Sequence, residues 1–189
     1  MQDVASSSQN VKFTVDKMYN KEPIPDTGTG SIFFNCEQQA LRYLSMREHN
    51  RSELRQKLLT KGYEPDLVDS VLDSLVSDGS LSEVRYIQSF VRSNNKRHPE
   101  GKSMLLARLV AKGADKAVAK EVLEEMYDDD YTASLVGAAY EKLASKNLAS
   151  KKAKRGDFDS SERLKSIEIR TRLFKLGFTQ SDINLIDLK

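Results

Sequence analysis

The sequence predicts an all-α protein: an elongated array of three tandem three-helix repeats, preceded by a flexible or short β-containing N-terminal extension. Three observations lead there. A basic amphipathic stretch that closes on glycine and restarts as a second apolar helix occurs three times, as LRQKLLTKGYEPDLVDSVL, LLARLVAKGADKAVAKEVL and IRTRLFKLGFTQSDINLI. The closing glycines, Gly62, Gly113 and Gly177, stand 51 and 64 residues apart, in or near the range of helical repeat arrays. Counted from the glycine, position −8 is Leu54, Leu105 and Ile169, position −4 is Leu58, Leu109 and Leu173, and position +9 is Val71, Val122 and Ile186. All are aliphatic. Composition agrees, because 39% hydrophobic residues, 31% charged residues, 7% aromatics and no tryptophan suit many thin helical layers.

Residues 1–36 form the extension. They hold two of the four prolines, Pro23 and Pro25, and no helical apolar period. Val11 to Val15 alternate enough for a short strand, and Ile32 to Phe34 are the segment to pair with it, although a lone two-stranded element is marginal. The first repeat is assigned to residues 37–84, the second to 85–130 and the third to 131–189. Within each copy, the two aliphatic positions before the glycine lie on one helical face. The glycine then takes the left-handed conformation with which a helix ends. Restart signals follow: Pro65 suits a first helical turn after Glu64, Asp115 can cap the next helix, and Thr179 with Asp182 makes a variant capping box. A third helix fills each interval, since about 30 to 40 residues remain per period, more than a connection needs.

Enzyme-like signals are few. Asp26-Thr27-Gly28 spells the aspartic-protease triplet, but that chemistry needs two carboxylates sharing a proton, and the triplet lies beside prolines rather than in a strand-rich fold. Gly28-Thr29-Gly30 lacks the strand, helix and third glycine of a phosphate loop. Cys36 is the single cysteine, and the two histidines, His49 and His98, lie in polar helical surroundings 49 residues apart. That spacing offers neither a metal site nor a nucleophile and base, so no catalytic residue, cofactor or metal is expected. No apolar run approaches the roughly 20 residues of a membrane span, and the N-terminus lacks a signal-peptide pattern. A cytoplasmic protein without membrane association is therefore expected.

Charge is patterned more than the overall +2 suggests. Residues 85–112 carry a net +6 and residues 142–175 a net +7, whereas 115–130 carry −5. A two-signed surface suits a protein partner better than uniform coating of DNA, which favours a continuous basic stripe. Leu143 to Lys165, rich in lysine and serine, reads as an insertion that lengthens the second spacing, a helix extension plus a loop.

The segment Ala40 to Gly113 resembles the RecX family of bacterial regulatory proteins. The resemblance rests on Met46-Arg47-Glu48-His49, on a Ser-x-x-Glu-Leu-like helix closing on Lys-Gly, and on Arg85-Tyr86 followed by Phe90-Val91-Arg92. The third copy, Arg172-Leu173-Phe174-Lys175-Leu176-Gly177-Phe178 with Asp182-Ile183, is similar to the family's C-terminal pattern, so the likeness extends over about Glu37 to Lys189. Two departures stand out. Glu83-Val84 replaces the family's paired acids, and Ser103-Met104 replaces a basic residue followed by an aliphatic one.

What the resemblance implies is binding to the RecA recombinase filament along its helical groove, with inhibition of strand exchange, ATP hydrolysis and coprotease activity. The array would act as a monomer, and single- or double-stranded DNA is the alternative ligand, met by helix-turn-helix-like repeats. Under this reading the partner-facing residues are first Arg85, Arg92, Lys96, Arg97 and Arg108, then Arg170, Arg172 and Lys175. Tyr86 and Phe90, four apart on one helix, read as a core contact rather than a base-stacking platform.

Overall fold

The computed structural model describes residues 29–151 and 158–186. Among them it forms helices α1 (Thr29–Met46), α2 (Arg51–Thr60), α3 (Pro65–Ser77), α4 (Glu83–Arg97), α5 (Lys102–Ala111), α6 (Lys116–Met126), α7 (Asp129–Lys151), α8 (Phe158–Lys175) and α9 (Gln180–Asn184), with no strand among the described residues. The three motifs are the pairs α2–α3, α5–α6 and α8–α9, while α1, α4 and α7 supply the third helices.

The glycine turns follow from backbone sterics. Gly62, Gly113 and Gly177 have φ of 90°, 83° and 87°, where a side chain is strained and glycine is not. In each turn the residue after the glycine returns its N–H to the leucine four before the glycine: Tyr63 to Leu58, Ala114 to Leu109 and Phe178 to Leu173, at 3.4, 3.0 and 3.3 Å. That leucine is therefore both a core side chain and the acceptor that closes the helix. The restart signals act as read. Pro65 begins α3, Asp115 Oδ1 accepts from the Ala117 and Val118 N–H groups, and Thr179 and Asp182 form a reciprocal capping box. Gly79, φ 76°, makes a fourth such turn at the end of α3, where Leu81 donates to the Leu75 carbonyl at 2.8 Å.

Two apolar clusters result. Cys36, Ala40, Leu54, Leu58, Val68, Val71, Leu72, Leu75 and Leu81 form one, within α1–α3 and the turn that follows. The other runs continuously from Tyr86 to Ile183 and joins α4 through α9. Tyr86 and Phe90 belong to it, stacked at 6.2 Å between ring centroids with Tyr86 buried.

Two expectations are corrected. Ile32 to Phe34 lie inside α1 rather than in a strand, because α1 starts at Thr29 and continues without a break through Cys36 and Ala40, which it delivers to the core. His49 is not in polar solvated surroundings but 2% exposed, held edge-on to Tyr43 where the chain turns from α1 into α2. Val11 to Val15 and Asp26-Thr27-Gly28 lie outside the described residues. Of the Leu143–Lys165 insertion, the stretch to Lys151 continues α7, and residues 152–157 lie outside the described residues.

A stacking rule links successive motifs. The Asn50 side chain, which caps α2 by accepting from Glu53 N–H, donates its Nδ2 to the Lys112 carbonyl at 2.9 Å. One repeat later, the Gly101 N–H at the start of α5 donates to the Leu176 carbonyl at 2.8 Å, and Ser103 Oγ donates to the Gly177 carbonyl at 2.9 Å. The second and third glycine turns are thus each docked by the helix start of the preceding motif, which satisfies carbonyls that a helix end leaves open. The fit is close: a Cβ on Gly101 would lie 2.1 Å from the Gly177 carbonyl oxygen, and one on Gly113 2.7 Å from Ser52 Oγ.

Candidate partner-binding surface

Helix α4 turns its apolar side chains, Tyr86, Ile87 and Val91, into the core. The opposite side, Arg85, Gln88, Ser89, Arg92, Ser93 and Lys96, lines an open groove together with Glu48. These spacings follow the helical period, so the cations form a row about 16 Å long, at 1.5 Å rise per residue. Ser82 caps the helix by accepting from the Arg85 N–H, while Lys96 and Arg97 stand in its last turn, where the helix dipole favours positive charge.

The expected partner-facing residues separate into groups. Arg92, Lys96 and Arg97 are exposed and form no ion pair among the described residues, so their heads are open to a partner. Arg85 lines the same groove, but its Nε holds Glu48 Oε1 at 3.0 Å and its Nη2 holds the Ser80 carbonyl at 2.9 Å, which ties the second repeat to the first. Arg108, on α5, donates at 2.8 Å to Glu100, whose side chain is 5% exposed. That carboxylate also accepts from Asn94, and the Glu100 backbone is held by Asn95 and Tyr127. Arg108 is the counter-ion of a buried acid, and burial pushes the Tyr127 phenol well above its ordinary pKa. On α8, Arg170 and Lys175 are exposed and Arg172 pairs with Glu168 at 2.7 Å. None of these α5 and α8 residues lines the α4 groove.

Lys142 was not among the expected residues. It lines a second open groove with Asn95, Lys96, Pro99, Glu141 and Ser145, and its ammonium is bonded to the Arg97 carbonyl. Lys96 borders both grooves, so the basic row passes from α4 onto α7. The only sequence signal for Lys142 was its place at the head of a basic segment.

The two departures at family positions have partners here. The single acid Glu83 accepts the Asp115 N–H at 3.1 Å, fixing the start of α4 to the start of α6. Ser103 and Met104 form the seat of the Gly177 turn. Among the described residues no cluster of His, Cys, Asp and Glu could hold a metal ion, and no helix is long and apolar enough to cross a membrane.

Comparison with known proteins supplies the family. The model of the first three-helix domain of RecX matches residues 36–75, which run from within α1 to the last turns of α3. Regulatory protein RecX of Chlorobium limicola is 33% identical over 133 residues, 70% of this chain and 76% of that protein. Regulatory protein RecX of Pelodictyon phaeoclathratiforme is 35% identical over 106 residues, 56% of this chain and 64% of its own length. That of Halorhodospira halophila is 42% identical over 86 residues, 46% and 53%. The chain thus spans between about half and three quarters of the length of these relatives. In fold it is similar to the crystal structure of RecX from Lactobacillus salivarius, with a TM-score of 0.67 at 23% identity, over 82% of this chain and 94% of that one. With a helical array of the same fold and a 33% identical relative covered over three quarters of its length, the chain belongs to the RecX family of regulatory proteins.

Proposed function

We propose that this protein binds the RecA recombinase on its DNA filament in the cytoplasm and inhibits strand exchange, ATP hydrolysis and coprotease activity, in DNA repair and the SOS response. The observation that carries the reading is the row of cations on α4, with Arg92, Lys96 and Arg97 unpaired among the described residues of a RecX-family array. A monomeric array acts by occupancy and needs no chemistry of its own. Several weak contacts on neighbouring protomers of a filament add through effective concentration, so residence on the filament exceeds that on free RecA.

Direct DNA binding is the second reading. It is favoured by the composition of the α4 groove, where Ser89 and Ser93 hydroxyls lie beside Arg92 and Lys96, donors that suit phosphate oxygens. Sedimentation with RecA filaments on single-stranded DNA, against the same DNA alone, separates the two. Retention that requires RecA supports the first reading; retention on bare DNA that falls steeply with salt supports the second. Charge reversal of Arg92, Lys96 and Arg97 together leaves helicity intact and weakens inhibition of RecA-driven strand exchange. Unchanged inhibition at matched concentration removes this surface from the reading.

A further inference from the structure

A third groove, independent of the α4 row, lies along the outer side of α2. It is lined by Tyr43, Ser52, Glu53, Gln56, Lys57, Thr60, Lys61 and Lys112. We propose that it docks an acidic polypeptide segment of a partner protein, with carboxylates on Lys57, Lys61 and Lys112. The proposal does not rest on the RecA reading.

The charge of this groove is uncompensated. Arg51 and Arg55 of α2 are paired, with Asp73 and Asp69 at 2.8 and 2.7 Å, and Arg47 before the helix is paired with Glu53. Glu53, the one acid in the groove, is thereby neutralised, and Arg47 holds its carboxyl below the usual carboxylate range against the opposing effect of burial. The three lysines form no ion pair among the described residues. Two of them are seated on rings instead: Lys57 Nζ lies 4.8 Å from the centre of the Tyr43 ring and Lys112 Nζ 5.6 Å from that of Phe90. A ring face orients an ammonium without saturating its N–H donors, so these heads are placed in advance for an anion.

A polypeptide fits better than a phosphate backbone because of the Gly62 turn that ends the groove. The equivalent turns at Gly113 and Gly177 are each met by an N–H donor, Asn50 Nδ2 on the Lys112 carbonyl and the Gly101 N–H on the Leu176 carbonyl. At the first motif the corresponding carbonyl is that of Lys61, which accepts no hydrogen bond among the described residues, and a Cβ on Gly62 would meet nothing within 4 Å. A peptide brings both carboxylates for the lysines and N–H groups for that carbonyl. A phosphodiester chain brings acceptors only.

The test uses the full chain, a fluorescent poly-glutamate peptide, and an oligothymidylate of equal charge. The probes are titrated against the wild type, against Lys57→Gln with Lys61→Gln and Lys112→Gln, and against Arg92→Gln with Lys96→Gln and Arg97→Gln. The proposal expects the α2 triple variant, with far-UV helicity unchanged, to lose about ten-fold or more in peptide affinity, as three ion pairs of ordinary surface strength would give. The α4 variant retains peptide binding within about two-fold on the same scale. Equal loss in both variants, no binding of the peptide by the wild type, or loss of oligothymidylate binding alone in the α2 variant overturns it.

Discussion

His49 shows how much one side chain depends on its surroundings. Its Nδ1 lies 3.2 Å from Glu53 Oε2, yet it is buried and makes no hydrogen bond. Burial first, and then the Arg47 charge, hold its pKa below the ordinary imidazole value. A depressed folded-state pKa means that the unfolded chain takes up the proton first as pH falls. The His49 contribution is therefore complete above the unfolded pKa of about 6.5 and declines below it. The melting temperature is expected to fall as pH drops from about 7.5 to about 5.5, and His49→Phe, which keeps a ring against Tyr43, is expected to flatten that slope. An unchanged slope would show that the protonated ring finds a partner in Glu53. Glu53, whose pKa is also lowered, contributes only in the more acidic carboxylate range. From the sequence His49 read as a polar surface residue; its neighbours Glu48 and Asn50 are polar, and only the packing of α1 on α2 encloses it.

At the scale of elements, the glycine turns divide by what packs on them. Gly62 needs its positive φ but has open space around it, so Gly62→Ala costs about 1 to 2 kcal/mol of left-handed strain. Gly101 has no such φ, yet its Cβ would collide with the Gly177 backbone. Gly101→Ala therefore forces apart the start of α5 and the end of α8, at about 1 to 3 kcal/mol or more. Urea titration of the two variants should rank Gly101→Ala as the more damaging. The reverse ranking would mean that the second and third motifs are not held together through this turn. The helices themselves and their caps were legible: Pro65, Asp115 and Thr179 each act where local chemistry placed them, because a cap depends on residues within one turn. Gly79 and Gly101 carry no such local signal, since neither belongs to the repeated pattern and the role of Gly101 lies wholly in contact with a turn 76 residues away.

For the whole molecule, the separation into two apolar clusters sets how stability is distributed. Between α1–α3 with the turn that follows and the rest, the described polar links are the Arg85–Glu48 ion pair and the hydrogen bonds Arg85–Ser80 and Asn50–Lys112. Exposed ion pairs contribute at most about 1 kcal/mol, so a defect in one cluster is felt mainly there, as in repeat arrays with nearest-neighbour coupling. Leu58→Ala, at a fully buried site, is expected to cost about 2 to 5 kcal/mol. In hydrogen exchange, the amides of α2 and α3 should lose protection while those of α5 and α6 keep theirs. Equal loss throughout would show a single cooperative unit.

The sequence by itself determined the helices, their glycine closures, the aliphatic positions of the core and the family, because these rest on periodicity and on chemistry within a turn or two. Tertiary structure decided which cations of α4 and α5 are free. Arg108 stood beside Arg92 among the first partner-facing residues, but it neutralises buried Glu100, whereas Arg92, Lys96 and Arg97 face outward; the pairing of Arg172 with Glu168, four residues apart on α8, is a matter of helical spacing instead. Lys61 and Lys112 were marked in the sequence only as the lysines that precede the closing glycines and Lys57 not at all; the stacking of α2 and α5 brought these lysines from two repeats into one groove. Charge is a property of a residue, but its availability depends on what the fold places beside it.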